Sequence, residues 1–274
     1  MIGFGRARRH VGIVFEGRFA RASLVRQGRR RPLASAHAPL PPDVWARDDA
    51  AFSDVFAALA KALGPTARRA DVGVTIALPD PLVLEEVVSF RAVPEDPKAA
   101  AELIRWRIAR DHRKAPEDIV CTSAPAGRDD DGQRLRVRVL PAPRVACITA
   151  AAAAVGFRVD RMEALAALVP AGPGVEVRIS PDWWSVRAAE GPPTALRHHA
   201  DWCDVDAMPE TLRRVIRVLR AIALQRGQTP LPVRLFAAKA VTRALTTALA
   251  NGAIALEPQE PGDPETLSVE IAAA

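Results

Sequence analysis

The feature that most constrains this chain is a pattern that occurs twice. Residues 11–15 form an apolar run, Glu16-Gly17 is a turn candidate, and an alternating run resumes at Phe19 and reaches Gln27. Gly28 marks a second turn, and residues 32–38 supply a third extended run. This reads as a three-stranded antiparallel meander. Far downstream, residues 175–179, a Ser180-Pro181-Asp182 turn, residues 184–188, a turn at Gly191 and residues 194–198 repeat the outline; in both copies a Gly turn falls 16–17 residues after the first strand begins. A helical stripe follows each copy. After the first it runs through Phe52, Val55, Phe56, Leu59 and Leu63 and is stopped by Gly64-Pro65; after the second it covers 208–226, with Pro209 in its first turn and Glu210 suited to the N-terminal dipole. An apolar strand follows each helix, at 72–78 and 231–236. The pattern predicts a duplicated α/β unit.

The material between the copies has its own order. Residues 82–90 are extended, 97–112 are helical with Ala101, Ile104, Trp106 and Ile108 as contact candidates, and 119–123 are extended again. A polar turn at 127–132, a strand at 135–140, a helix at 144–155 and a strand at 157–163 complete the sequence β-α-β-β-α-β, a split βαβ arrangement of ferredoxin type. After the second copy come a helix at 241–251, closed by Gly252, and a terminal segment at 267–274. The expected division is therefore 1–79 for the first half, 80–163 for a ferredoxin-like insertion, 164–172 for a helix returning to the first half, and 173–274 for the second half.

Charge narrows the function less than it first suggests. The formal net charge is +6, which invites a nucleic-acid or membrane-surface partner. Yet only Lys61, Lys98, Lys114 and Lys239 are lysines, there is no tyrosine, and Asn251 is the sole asparagine; with abundant Ala and Pro this is the imprint of GC-rich coding. Basic residues are not interleaved with aromatics as a single-strand binder requires, so no nucleic-acid partner is expected. Cys121, Cys147 and Cys203 are odd in number and widely spaced, which argues against a disulfide framework and suits a reducing compartment. Arg6, Arg8 and Arg9 are not followed by an apolar h-region, and the apolar run at 150–154 is far too short to span a bilayer, so a cytoplasmic location is expected.

Several local patterns carry chemistry only on the surface. Gly127-Arg128-Asp129-Asp130-Asp131-Gly132-Gln133-Arg134 has the glycine spacing of a phosphate loop, but it lacks the Lys and Ser/Thr, and three carboxylates repel phosphate; a solvated hairpin turn is expected. His199, Asp201 and Cys203 would share one face of a strand and could ligate a metal, against the simpler reading of a polar loop. Arg213, Arg214, Arg217 and Arg220 lie opposite Leu212, Val215, Ile216 and Leu219, either as a basic docking face or as the solvated side of a core helix. Trp183-Trp184 on a strand would send one ring inward and one outward, the outer ring being a partner anchor or an edge cover. No GxSxG, HExxH or calcium-loop pattern occurs, which leaves hydrolase and calcium readings without residues.

The order of motifs resembles the actin-like ATPase superfamily, and within it the type IV pilus assembly protein PilM and the cytoplasmic domains of type II secretion GspL-like proteins. Val11-Gly12-Ile13 is similar to the family's opening strand, Ala77-Leu78-Pro79 to the segment before its inserted subdomain, and Glu102-Leu103-Ile104-Arg105-Trp106 to the helix of that insertion. Pro116-Glu117-Asp118-Ile119 follows at the entry to the next strand, and Ala154-Val155-Gly156-Phe157 and Met162-Glu163-Ala164-Leu165-Ala166 resemble the family's exit segment. The resemblance implies an actin-like (ribonuclease H-like) duplicated fold with a ferredoxin-like insertion. It also implies a partner: the short cytoplasmic N-terminal peptide of a bitopic PilN-like membrane protein, held in a groove between the first half and the insertion, with Arg105, Trp106 and Arg110 as candidate wall residues. An assembly ATPase is a further partner class, and the chain would sit peripherally on the cytoplasmic face of the inner membrane.

The departures from the family bear on chemistry. Where it usually carries an Asp, a Gly and a Lys in the first hairpin, this chain has Val14, Glu16 and Arg21. Val14 offers no oxygen to a hydrated Mg²⁺, and Glu16 repels phosphate. The second hairpin reads Arg178-Ile179-Ser180-Pro181-Asp182, and the Gly-rich adenine-side turn is replaced by Phe236-Ala237-Ala238-Lys239. The small subdomain that normally covers the nucleotide is expected to be lost between Asp201 and Met208. The expectation is a scaffold with no nucleotide or metal cofactor and no catalysis; the rival is an ATPase in which Arg21 contacts phosphate and Asp182 recruits Mg²⁺.

Overall fold

The computed structural model describes residues 9–16, 19–27, 29, 31–41, 44–45, 50–130, 132–168, 174–179, 183–188, 194–197, 208–227, 230–237, 239–249, 254–259 and 271. Its first half is a five-stranded sheet. Strands β1 (Arg9–Glu16), β2 (Phe19–Arg26) and β3 (Ala34–Pro39) form the antiparallel meander. Helix α1 (Ala50–Leu63) buries Phe52, Val55, Phe56, Leu59 and Leu63. Gly64, at a φ of 79° that only glycine adopts without strain, turns the chain away. Strand β4 (Gly73–Leu78), buried along its whole length, then pairs parallel to β1.

After β4 the chain leaves the sheet. Strand β5 (Leu84–Phe90), helix α2 (Pro97–Asp111), strand β6 (Ile119–Asp129) and strand β7 (Gly132–Pro141) build a separate three-stranded sheet of order β5-β7-β6, with α2 on one face. Asp96 caps α2 by accepting from the Ala99 N–H at 2.8 Å, and Pro97 occupies its first turn. Gly132 closes the β6–β7 hairpin with a φ of 131°, and a Cβ there would stand 2.2 Å from the Phe90 carbonyl oxygen. Helix α3 (Ala142–Ala154) then returns to pack on α1, and strand β8 (Arg158–Ala164) pairs parallel to β4. The insertion is thus β-α-β-β, narrower than the expected 80–163. The last helix and strand of the six-element pattern complete the first half instead, because β8 finds its partner on β4 rather than on β5.

A one-turn helix α4 (Leu165–Leu168) leads toward the second half, whose sheet runs β11-β10-β9-β12-β13. Its strands are β9 (Val175–Ile179), β10 (Trp183–Ala188), β11 (Thr194–Arg197), β12 (Leu231–Phe236) and β13 (Ile254–Gln259). Helix α5 (Met208–Arg226) precedes β12, and α6 (Lys239–Ala248) links β12 to β13. The first sheet has the order β3-β2-β1-β4-β8. Strand order and sense therefore match between the halves: two antiparallel pairs, then two parallel pairs. The helices correspond too, α1 with α5 and α3 with α6. The duplication expected from the meanders is the architecture, and the insertion sits between β4 and α3.

Candidate functional site

Each sheet has one face packed on its helices and one turned the other way. In β1 the alternation sends Val11, Ile13 and Phe15 into the core with α1 and α3, which leaves Val14 on the opposite face. Cross-strand register then fixes a row of residues on that face: His37, Arg21, Val14, Ala77 and Glu163. In the second half, the equivalent register places Ser185, Arg178 and Phe236 in a row. Arg178 in β9 thus corresponds to Val14 in β1. Neither position carries a carboxylate.

Val14 has apolar surroundings, while Glu163 and Arg178 are held in ion pairs. Val14, Ala77, Leu165, Leu168, Trp183 and Ile271 form one buried cluster that joins both halves. Glu163, the one acid in the first row, is buried and accepts from Arg138 at 3.0 Å, with Arg161 at 3.7 Å. Arg178 is also buried; its Nε donates to Glu176 at 2.6 Å and its guanidinium stacks 4.4 Å from the Phe236 ring centre. Arg234 donates to the same Glu176 at 3.0 Å. Arg21 is half-buried with its guanidinium 5.9 Å from the Phe19 ring. Lys239 is exposed at the first turn of α6. The side chain of Glu16, and Ser180 and Asp182 altogether, lie outside the described residues, as does the His199–Cys203 metal pattern. Among the described residues no group of three His, Cys, Asp or Glu could hold a metal. Burial pushes the Cys121 thiol up to about 11, so it is a poor nucleophile.

Trp183 and Trp184 are each only 1% exposed. Trp184 packs in the core of the second half and Trp183 in the cluster between the halves, so neither is a surface anchor. The Gly127–Arg134 segment is a laddered hairpin, with Gly127 opposite Arg134 and Asp129 opposite Gly132. Val215 and Leu219 of α5 are buried, while Arg213 and Arg214 are exposed and share Glu210 at 3.3 and 3.1 Å.

An open cavity of about 570 Å³ lies instead at the root of the insertion. It is bounded where the chain enters the insertion (Asp80, Leu82, Leu84), where it leaves (Leu140, Pro143), and by the last turns of α2 (Ile108, His112). Asp118, Glu85 and Lys114 add charge to apolar walls. Glu85 and Glu163 are held together by Arg138, at 2.7 and 3.0 Å, which ties the insertion sheet to the first half. Arg136 stands 3.5 Å from Glu85. Burial pulls the Arg187 guanidinium below its ordinary value, and the carboxylates of Glu176, Glu85 and Asp80 counter this, so strand β10 faces the same root. Sequence reasoning missed the clamp, although the alternation Arg134, Arg136, Arg138 on one strand face was its signal.

Arg105, Trp106 and Arg110 do not line this cavity. Trp106 is 55% exposed on the outer side of α2, with the Arg110 guanidinium 5.2 Å from its ring centre. It is two residues from Ile108, about 200° around the helix, which is why one faces solvent and the other the core.

No family model matches this sequence, and no curated protein matches it. Similarity is found among solved structures. The chain has the actin-like ATPase fold: it superposes on a PilM-PilN type IV pilus biogenesis complex with a TM-score of 0.67 at 16% identity, over 98% of this chain and 97% of that one. The cytoplasmic domain of EpsL, an inner-membrane component of the type II secretion system of Vibrio cholerae, gives 0.57 at 13% identity over 97% and 95%. A Bacteroides thetaiotaomicron protein of actin-like ATPase fold and unknown function gives 0.53 at 10% identity over 99% and 98%. Among the described residues no helix is long and apolar enough to cross a membrane.

Proposed function

We propose that this chain is a non-catalytic adaptor on the cytoplasmic face of an inner-membrane assembly platform of the type IV pilus or type II secretion kind, and that it holds the cytoplasmic N-terminal peptide of a bitopic PilN-like membrane protein. The observation that carries the reading is the contrast between two places in the fold. Among the described residues the halves meet through a buried apolar cluster around Val14 and Trp183, whereas the root of the insertion holds an open cavity. Nucleotide chemistry needs oxygen ligands for Mg²⁺; in the row across the first sheet Val14 offers none, and Glu163, its one acid, is already committed to two arginines.

The open cavity suits an extended apolar peptide. Leu82, Leu84, Ile108 and Leu140 supply side-chain pockets. Strand β5 begins at its mouth and, among the described residues, is an edge strand, the kind of element to which an extended peptide pairs through its main chain. The likeness to a structure containing PilM with PilN supports the partner class. Leu84 is 45% exposed and so is replaceable without emptying the core.

The test is a pull-down with the cytoplasmic segments of single-span membrane proteins encoded beside this gene. Leu84→Glu abolishes capture and Trp106→Ala preserves it if the peptide occupies the root cavity; the reverse moves the site to the outer face of α2. Calorimetry with ATP·Mg²⁺ tests the absence of nucleotide binding and a phosphate-release assay the absence of catalysis; micromolar binding with turnover overturns the reading in favour of the ATPase that uses Arg21 and Asp182.

A further inference from the structure

We infer that Trp183 is a resident wedge that fixes the two halves against one another. The inference rests on the reading above that the cleft between the halves holds no nucleotide. The cluster around Trp183 is drawn from both halves: Val14 and Ala77 from the first sheet, Leu165 and Leu168 from the segment leaving it, Trp183 from the first residue of β10, and Ile271 from beyond β13. All six are at most 5% exposed.

The position of the wedge follows from the duplication. Val14 stands just before the first hairpin turn and Trp183 just after its counterpart in the second half. The strand ends beside the two turns therefore share one buried cluster through these side chains, with the indole as its largest member. A Trp side chain buries roughly 200 Å², so this one residue is a major part of the apolar contact in the cluster. The indole N–H finds no acceptor among the described residues. The role is one of volume and shape rather than hydrogen bonding, and phenylalanine would serve it nearly as well.

The consequence is regulatory. A partner held at the root of the insertion meets one fixed arrangement of the halves, because β10, which carries Trp183, also packs against the Asp80–Leu82 turn that borders the cavity. Binding of the peptide is then independent of nucleotide state.

Amide hydrogen exchange on the full chain reads this directly. Trp183→Ala raises exchange at the end of β1 and the start of β10 at least tenfold, while α1 and β12, in the cores of the separate halves, change less than twofold; Trp183→Phe stays within about threefold of wild type throughout. Millimolar ATP·Mg²⁺ leaves the wild-type pattern unchanged. Trp183→Leu carries the same comparison if the alanine variant does not fold. Unchanged exchange at both strand ends in the truncated variant, or loosening spread evenly over all elements, overturns the wedge. Protection of those ends by ATP·Mg²⁺ would instead overturn the nucleotide-free reading on which it rests, so the two failures are told apart.

Discussion

Arg138 is the residue whose removal best reveals how the insertion is fastened. Its Nε donates to Glu85 of β5 at 2.7 Å and an Nη donates to Glu163 of β8 at 3.0 Å. The side chains are 15%, 6% and 9% exposed, so all three charges are largely out of water. Arg138→Met keeps the aliphatic stem and strips the charge, which strands two buried carboxylates. Breaking a buried pair from one side costs about 3–5 kcal/mol. Arg136 at 3.5 Å from Glu85 and Arg161 at 3.7 Å from Glu163 remain as partial partners, which places the expected loss near the lower end. At about 2–4 °C per kcal/mol for a chain of this size, Tm should fall by roughly 6–12 °C. Differential scanning calorimetry at pH 7 measures it. Adding Glu163→Gln to Arg138→Met removes one stranded charge and should recover part of the loss. A drop below about 2 °C would match a solvent-screened surface pair and would refute the claim that this cluster is a buried clamp.

Two further predictions follow from local geometry. His10, whose Nε2 lies 2.8 Å from Thr75 Oγ1, is held below its ordinary value of 6.5 chiefly by burial, with Arg158 adding to the effect and Asp160 opposing it. The unfolded chain therefore binds this proton more readily than the folded one, so its contribution is present above pH 6.5 and is lost as pH falls below it; His10→Gln should flatten the fall in Tm between pH 6.5 and 5, and an unchanged slope would count against it. Arg113 ends α2 at a φ of 54°, where a side chain costs about 1 kcal/mol, so Arg113→Gly should raise stability to urea by up to about that amount; a loss would show that the arginine makes compensating contacts.

The parts of the fold set by local periodicity were legible from the residues. The meanders, the stripe of Phe52, Val55, Phe56 and Leu59, and the duplication all follow from spacing of two or of about 3.6 residues. What spacing does not encode is which strand pairs with which. Residues 158–164 complete a ferredoxin pattern on paper, yet β8 pairs with β4, because the fully buried β4 needs a second parallel neighbour. Strand β13 escaped notice because Pro258 interrupts its pattern; it survives as the edge of the sheet, where a missing N–H is tolerated. The site was legible in a different way. Val14, Glu16 and Arg21 marked a first hairpin that departs from the expected Asp, Gly and Lys, but only the fold brings Val14 against Trp183 and Ile271. Trp106 stood out as a large aromatic among arginines, while Leu82, Leu84 and Leu140 are ordinary leucines that come to line one cavity only through three-dimensional convergence.

The most direct test of the account is an isothermal titration of the wild-type chain with the cytoplasmic N-terminal peptide of its candidate membrane partner, run with and without ATP·Mg²⁺. The account predicts binding with the same Kd in both, lost in Leu84→Glu and kept in Trp106→Ala. A peptide affinity that depends on ATP·Mg²⁺, or binding that survives Leu84→Glu, would contradict an adaptor that works through the root of its insertion.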